Sequence, residues 1–175
     1  MINKEHAIIR TSDLFDAKHL LRFYASENMY GALLDGKREP ILPNQSELEE
    51  LLQNKDATQS FYAVEDKEGN LHGFIVLKGI NQEALFGEII LLFDNQTYLT
   101  NSPLIHDALE FIENKAFRQL HLKKLVTTCI DEEEPLKNFL QQHLYILAGI
   151  MREVLFARGK WHNLETWVKL SSTTN

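Results

Sequence analysis

The chain has 175 residues, which is the length of one domain with an adequate core, and we expect a single domain over residues 1–175 with a flexible tail at 171–175. A net charge of -7 leaves no basic footprint for nucleic acid, and no segment approaches the roughly 20 apolar residues of a membrane span. The N-terminus lacks the apolar core of a signal peptide, so we expect a cytoplasmic protein.

The first predicted elements are a strand and a helix. Residues 7–10, Ala-Ile-Ile-Arg, predict a short strand, and Ser12 or Asp13 then caps an amphipathic helix that continues to Tyr24. Gly31 is a plausible stop for this helix.

A second helix and three strands follow. After a loop with Pro40 and Pro43, the capping box Ser46-Glu47-Leu48-Glu49 predicts a short helix. The period then changes from helical to extended, which predicts a hairpin and a further strand. The predicted strands are 61–65, 73–77 and 86–93, and the hairpin turn lies at 68–70.

The strand at 86–93 is apolar at nearly every position, so it should be central and covered on both faces. Ser102 and Pro103 suit the N-cap and first position of an amphipathic helix, and residues 125–130 form the next strand. Such a strand, helix and strand imply parallel pairing, with the helix N-terminus at the carboxyl end of the central strand. That geometry is a default anion site.

The chain ends in a helix and a hairpin. Acidic residues 131–134 precede Pro135 and a helix to about Leu144, and residues 151–170 read as two strands joined by a tight turn. Alternation predicts buried and exposed sets in this hairpin. The buried set is Val154, Phe156, Trp161 and Trp167, and the exposed set is Arg152, Arg158, Lys160 and His162.

Cysteine and histidine usage excludes several kinds of site. Cys129 is the single cysteine, lies in an apolar run and has no charged neighbour, so we expect a buried structural thiol. The seven histidines have no metal-ligand spacing, and nucleophile signatures are absent. We therefore expect no metal.

The C-terminal segment carries a family resemblance. Its residues, in order, are Gly149, Met151-Arg152-Glu153, Phe156, Gly159-Lys160-Trp161, His162-Asn163 and Trp167. Together with the element order, this tail resembles the Gcn5-related N-acetyltransferase (GNAT) superfamily, in the branch of ribosomal-protein N-terminal and spermidine acetyltransferases. The resemblance implies an α/β (α+β) GNAT fold, with a mixed, mostly antiparallel sheet of about seven strands and about four helices.

The resemblance also implies acetyl-CoA as co-substrate, held by a loop after the central strand. The matching stretch is "DNQTYLTNSPLIHDALEF", in which the glycines usual in this loop are replaced by residues 100–103. Pro103 lacks an N–H, whereas Asn101 tolerates the left-handed conformation and the amides of Leu104 and Ile105 remain free. The implied pyrophosphate-binding residues are Tyr98, Leu99, Thr100, Asn101, Ser102 and Leu104.

Other parts of the implied site are less complete. The backbone of Leu91, Leu92 and Phe93, where the central strand should splay from its parallel neighbour, would hold the pantetheine arm and polarise the thioester carbonyl. The tyrosine that commonly protonates the departing thiolate in this family is replaced by Leu140, and Glu133 stands where an asparagine is usual. Another donor or water must serve.

Three further features carry alternatives. Glu88 matches a position with a carboxylate in this branch and is our candidate general base, or it meets water or an arginine near the start of its strand. Trp161 and His162 line the acceptor pocket, or they belong to an ordinary hairpin tip. Acidic residues 132–134 attract a cationic amine, or they complement the helix dipole.

Two functions remain from the sequence. The first is direct transfer of an acetyl group from acetyl-CoA to a primary amine that enters between the first two helices and the hairpin tip. The second is a GNAT-like binding module that has lost the reaction. The acceptor stays open among a protein N-terminus, a polyamine, a drug-like amine and an amino sugar. The oligomeric state also stays open between a monomer and a homodimer, and the resemblance implies that a homodimer would form through terminal strands.

Overall fold

The computed structural model describes residues 1–24, 44–53, 58–157 and 159–171. These residues form one sheet of eight strands and five α-helices. The strands are β1 (Ile2–Asn3), β2 (Ile8–Thr11), β3 (Ser60–Glu65), β4 (Leu71–Asn81), β5 (Phe86–Phe93), β6 (Lys124–Ile130), β7 (Ile146–Ala157) and β8 (Lys160–Leu170). The helices are α1 (Ala17–Tyr24), α2 (Gln45–Gln53), α3 (Asn95–Leu99), α4 (Pro103–Asn114) and α5 (Glu134–Gln142).

The sheet order is β1-β2-β3-β4-β5-β6-β8-β7. Every neighbouring pair is antiparallel except β5 and β6, which are parallel as the crossover through α4 predicts. The predicted GNAT fold is therefore confirmed. The two-residue β1 and the five-residue α3 are additional, because elements this short carry no apolar period.

The central strand β5 is covered on both faces, as its apolar run predicts. Ile89, Leu91 and Phe93 share one buried cluster with α4 and α5, whereas Leu92 belongs to a second cluster with α1 and α2. Successive side chains on a strand point to opposite faces, so both clusters draw on the same segment. The end of β5 is thus fixed from two sides.

The cap of α2 differs from the prediction. Asn44 accepts from the Glu47 amide at 3.0 Å, and Glu47 accepts from the Asn44 amide at 2.8 Å. This capping box begins two residues before the predicted box at Ser46, since Asn is as strong a cap as Ser. Gly31, Pro40 and Pro43 lie outside the described residues.

The faces of the C-terminal hairpin were predicted wrongly at four positions. Val154, Phe156 and Trp161 are 43%, 50% and 58% exposed, whereas His162 is only 1% exposed. Trp167 is buried, as predicted.

The reason for the error is the register. The β7–β8 ladder is interrupted between Leu147 and Gly149 and again between Met151 and Leu155, where Glu153 has a φ of 50°. Such irregularities shift the alternation of β7. In addition, β8 does not follow a simple alternation, because side chains of both parities are buried along it, including Leu164 and Trp167.

Candidate functional site

The candidate site begins where β5 and β6 separate. The parallel ladder contains only Phe86–Lys124, Gly87–Leu125 and Glu88–Val126, so the carboxyl-terminal half of β5 has an edge that β6 does not cover. This is the predicted splay. A strand edge of this kind presents backbone N–H and C=O groups that a ligand can pair with.

Tyr98, from α3, lies on this edge. Its hydroxyl donates to the carbonyl oxygen of Leu91 at 2.9 Å, and its ring makes edge contacts with Phe93 and with Phe139 of α5. Burial raises the pKa of Tyr98 well above its ordinary value, with a further contribution from Glu133, while the Phe93 backbone acts in the opposite direction. The phenol is therefore neutral and is a hydrogen-bond donor.

The loop that follows α3 uses its amides internally. Three successive amides donate to α3 carbonyl oxygens. The pairs are Thr100 with Gln96 (3.0 Å), Asn101 with Tyr98 (3.0 Å) and Ser102 with Thr97 (3.2 Å). These amides do not point to a ligand in this arrangement.

The turn into α4 keeps some features of an anion site. Asn101 has a φ of 51°, so it adopts the left-handed conformation that the sequence predicts it can tolerate. Ser102 is the N-cap residue and Pro103 begins the helix, as predicted, although the Ser102 side chain makes no capping bond. The amide of Leu104 lies in the first turn of α4, where it has no partner within the helix. The prediction of a free amide at Ile105 is wrong, because this amide donates to the Ser102 carbonyl oxygen at 3.1 Å.

A cavity of about 310 Å³ lies between α3, this loop and α5. It falls at the lower end of the size range of small-molecule sites. Its walls combine apolar surface with side-chain amides. The lining residues are Tyr98, Leu99, Asn101, Pro135, Asn138, Phe139, Gln141 and Gln142. An extended amide-containing chain such as pantetheine fits this composition. A pyrophosphate fits less well, because the loop amides that would bind it donate to α3 carbonyl oxygens instead.

A histidine pair beside the cavity was missed from the sequence. The rings of His106 and His143 are 4.6 Å apart, and His106 Nε2 lies 2.8 Å from Asn101 Oδ1. Burial, then His106 and Lys169, lower the pKa of His143 to about 4. The two histidines lie on different helices, so no local pattern could bring them together.

Glu88, the candidate base, does not lie in apolar surroundings. It faces Lys78 across the β4–β5 ladder, with Lys78 Nζ 3.7 Å from Glu88 Oε2, and its side chain is 29% exposed. These contacts match the second alternative for Glu88, a polar neighbour near the start of its strand, except that the neighbour is a lysine and not an arginine.

Trp161 and His162 lie apart from the cavity lining. Trp161 packs edge-on against Phe156, with ring centroids 5.4 Å apart. His162 Nδ1 lies 3.2 Å from Asp131 Oδ1, and the Asn163 amide donates to the same carboxylate. His162 therefore joins the start of β8 to the turn after β6.

The comparison with protein families decides the classification. The family model described as "Acetyltransferase (GNAT) domain" matches residues 9–167. The chain belongs to the GNAT acetyltransferase family. The resemblance drawn from the C-terminal tail is thereby confirmed, and with it the class of N-acetyltransferase.

Solved structures show the same GNAT fold. Spermidine N-acetyltransferase from Vibrio cholerae, in complex with CoA and spermine, is 19% identical with a TM-score of 0.80, covering 97% of this chain and 98% of that one. A probable acetyltransferase is 19% identical with a TM-score of 0.76, covering 95% and 94%. The Vibrio cholerae spermidine/spermine enzyme with manganese is 18% identical with a TM-score of 0.73, covering 94% and 92%.

A search of curated proteins gave no match. Within residues 1–24, 44–53, 58–157 and 159–171, no three metal-ligating side chains come together. Among the helices in those same ranges, none combines the length and apolarity that a membrane span requires.

Proposed function

We propose that this GNAT protein transfers an acetyl group from acetyl-CoA to a primary amine by direct attack in a ternary complex. The observation that carries the proposal is the uncovered half of the β5 edge, next to a cavity and to the start of α4. An extended amide-containing donor could pair with that edge as an additional strand.

The donor would be held by two groups of residues. The backbone of Leu91, Leu92 and Phe93 would bind the pantetheine arm and polarise the thioester carbonyl. The pyrophosphate would lie on the loop before α4. The proposed loop residues are Leu99, Thr100, Asn101, Ser102 and Leu104, whereas the hydroxyl of Tyr98 lies on the β5 edge at Leu91. Because three of these amides are bonded to α3, this part of the site must rearrange to receive phosphates.

The reaction requires an uncharged amine. The amine nitrogen attacks the thioester carbon, a C–N bond forms, and collapse of the tetrahedral intermediate breaks the C–S bond. Glu88 remains the proposed base, acting through water because its carboxylate is engaged with Lys78. We propose no metal in these steps.

We propose a small cationic amine of the polyamine type as acceptor. The net charge of -7 favours such a substrate electrostatically, and a neighbour of the same fold is a spermidine N-acetyltransferase. Trp161 and His162 were predicted to line the acceptor pocket. Burial of His162 against Asp131 favours a structural role for this residue, so only Trp161 remains available at the surface.

We propose that a homodimer forms through the sheet edge of β7. This strand leaves several apolar side chains exposed, and an uncovered edge favours pairing with a second chain. They include Ile146, Leu147, Ile150, Met151, Val154 and Phe156. Light scattering of the purified protein at several concentrations tests this part of the proposal.

The second function, a binding module without transfer, is favoured by one specific observation. The amides of Thr100, Asn101 and Ser102 are all satisfied within the protein. A loop in this arrangement offers little to a pyrophosphate.

Calorimetric titration with acetyl-CoA separates the two functions. We expect micromolar binding by the unaltered protein, followed by CoA release when spermidine or an N-terminal peptide is added. The matched variant is Asn101→Gly with Pro103→Gly, which adds a backbone N–H at position 103 and relaxes the loop. Binding by this variant alone would support the binding module and contradict the enzyme.

A further inference from the structure

Acetyl transfer expels a thiolate, and this leaving group needs a proton. In a cleft with little water, a positioned side chain that supplies the proton accelerates the step by roughly 10²–10⁴-fold. Leu140 has no proton to give and is fully buried in the core. Another donor must therefore lie on the open edge of β5.

Tyr98 is the group that meets this requirement. Its hydroxyl reaches the carbonyl oxygen of Leu91, at the centre of the uncovered edge, and its side chain also lines the cavity. The ring is held between Phe93 of β5 and Phe139 of α5. The hydroxyl thus stands at the meeting point of edge and cavity.

The other described candidates lie elsewhere. Tyr62 packs against Phe111 of α4, and the Tyr145 ring lies under Lys169 of β8. The Cys129 thiol is buried, and burial raises its pKa well above the ordinary value. None of these three groups lines the cavity between α3 and α5.

We propose that Tyr98 is the general acid of this protein, which donates its hydroxyl proton to the thiolate of the departing CoA. The inference rests on the proposed acetyl transfer. When the C–S bond breaks, the electron pair goes to sulfur, the Tyr98 O–H proton forms the new S–H bond, and the phenolate regains a proton from water. The amine proton leaves separately through the base, so the sum is amide plus free thiol.

The surroundings of Tyr98 favour the protonated phenol. In the resting state its O–H is oriented by the Leu91 carbonyl. Burial and then Glu133 raise the pKa of Tyr98, and the Phe93 backbone opposes them only in part, so the phenolate formed by donation takes a proton back from water readily. Donation requires only that the hydroxyl exchange a carbonyl acceptor for the sulfur.

The test is Tyr98→Phe, with Tyr145→Phe as the matched control. Both variants remove one hydroxyl from a nearly buried tyrosine, since Tyr98 is 7% and Tyr145 2% exposed. We expect Tyr98→Phe to lower kcat with acetyl-CoA about 100-fold. The Kd for CoA, from calorimetry, should change by less than about threefold, within the effect of one hydrogen bond. Tyr145→Phe should retain kcat.

A second donor substrate separates acid catalysis from a structural effect. An acetyl thioester of an aromatic thiol expels a stable thiolate and needs little protonation. With this thioester, kcat/KM of Tyr98→Phe should fall far less than with acetyl-CoA. An equal loss with both thioesters, or tighter CoA binding with unchanged kcat, would overturn the assignment.

A third variant keeps the test valid if Tyr98→Phe does not fold. Replacing Tyr98 by 3,5-difluorotyrosine retains the shape and the hydrogen bond but makes the phenol more acidic. The pH above which kcat declines should then move downward, and an unmoved profile contradicts the proposal. If the unaltered protein transfers no acetyl group at all, the proposed function is wrong, and the role of Tyr98 with it. If the unaltered protein is active but the Tyr98 variants behave like the control, only the role of Tyr98 is wrong.

Discussion

The cleft, which consists of the open edge of β5 and the cavity between α3 and α5, draws its residues from several separate segments, whereas the C-terminal hairpin is one continuous segment. The cleft brings together Tyr98 of α3, Asn101 of the loop, Phe139 of α5 and the open edge of β5. The hairpin carries the most specific sequence motif, yet its Trp161 is half exposed and its His162 is buried as an anchor.

This difference separates evidence for a family from evidence for a site. A motif such as Gly159-Lys160-Trp161-His162 is sufficient to identify relatives, because it reflects shared ancestry of the whole domain. A site needs polar groups from separate segments at one accessible place. By that criterion we propose the cleft as the functional region and assign the hairpin chiefly to completing the sheet.

We expect the greatest loss of stability when alanine replaces one of two glycines, Gly73 in the sheet behind the cleft, and almost none at the other, Gly149 in the hairpin. A Cβ at Gly73, opposite Phe93, would lie 2.4 Å from the Phe93 ring and 2.5 Å from the Leu92 carbonyl oxygen, whereas a Cβ at Gly149 in the hairpin meets nothing within 4 Å. Gly73→Ala should lower the free energy of unfolding by about 3 kcal/mol. Gly149→Ala should change it by less than about 0.5 kcal/mol. Urea denaturation measures both, and equal effects would contradict the close packing behind the cleft.

The next effect tests His162 as an anchor. His162→Ala removes its contact with Asp131 and leaves a cavity, so stability should fall by about 2 kcal/mol. Trp161→Ala, at an exposed position, should cost less than about 1 kcal/mol. The acceptor KM, measured for both variants, should be unchanged for His162→Ala. A raised KM without a stability loss would restore His162 to the acceptor pocket.

A smaller effect is expected from acid. The unfolded chain takes up a proton on His143 near its ordinary pKa of 6.5, but the folded protein does so only at about 4. Between these values the unfolded state binds more protons, so stability rises with pH and is lost as the pH falls.

The partly exposed imidazole should therefore cost about 1 kcal/mol between pH 7 and pH 5. His143→Gln should reduce this pH dependence, as measured by urea denaturation at each pH. An identical dependence in the variant would show that another group is responsible.

The smallest effect is an absence of reaction. Cys129 is fully buried in the main apolar cluster, as the sequence predicted, and burial raises its pKa well above the ordinary value. Iodoacetamide at pH 8 should leave the folded protein unmodified while alkylating it rapidly in guanidinium. Fast alkylation of the folded protein would show that this cluster opens more readily than the structure indicates.

Most of the fold could be predicted from the sequence because it depends on regular periods. The apolar run of β5, the Ser102-Pro103 start of α4 and the turn before β4 each carry a local signal. The short helix α3 has no apolar period, although the Asp94 cap, which accepts from the Thr97 amide at 2.7 Å, is its visible trace.

The candidate site could be predicted only in outline. The position where β5 and β6 separate could be predicted from the crossover connection. The Tyr98–Leu91 hydrogen bond and the His106–His143 contact could not be predicted, because each joins separate elements. The prediction of buried and exposed side chains in the hairpin was wrong because bulges near Glu153 break the alternation on which it depends. Local sequence does not specify such long-range contacts and register shifts.

Hydrogen exchange with and without acetyl-CoA locates the bound acetyl donor on the chain. We expect slower exchange for the amides of Leu91, Phe93 and Leu104, with the hairpin at residues 150–163 unchanged. Protection confined to the hairpin, or no protection anywhere at saturating acetyl-CoA, would contradict the assignment of the cleft as the acetyl-donor site.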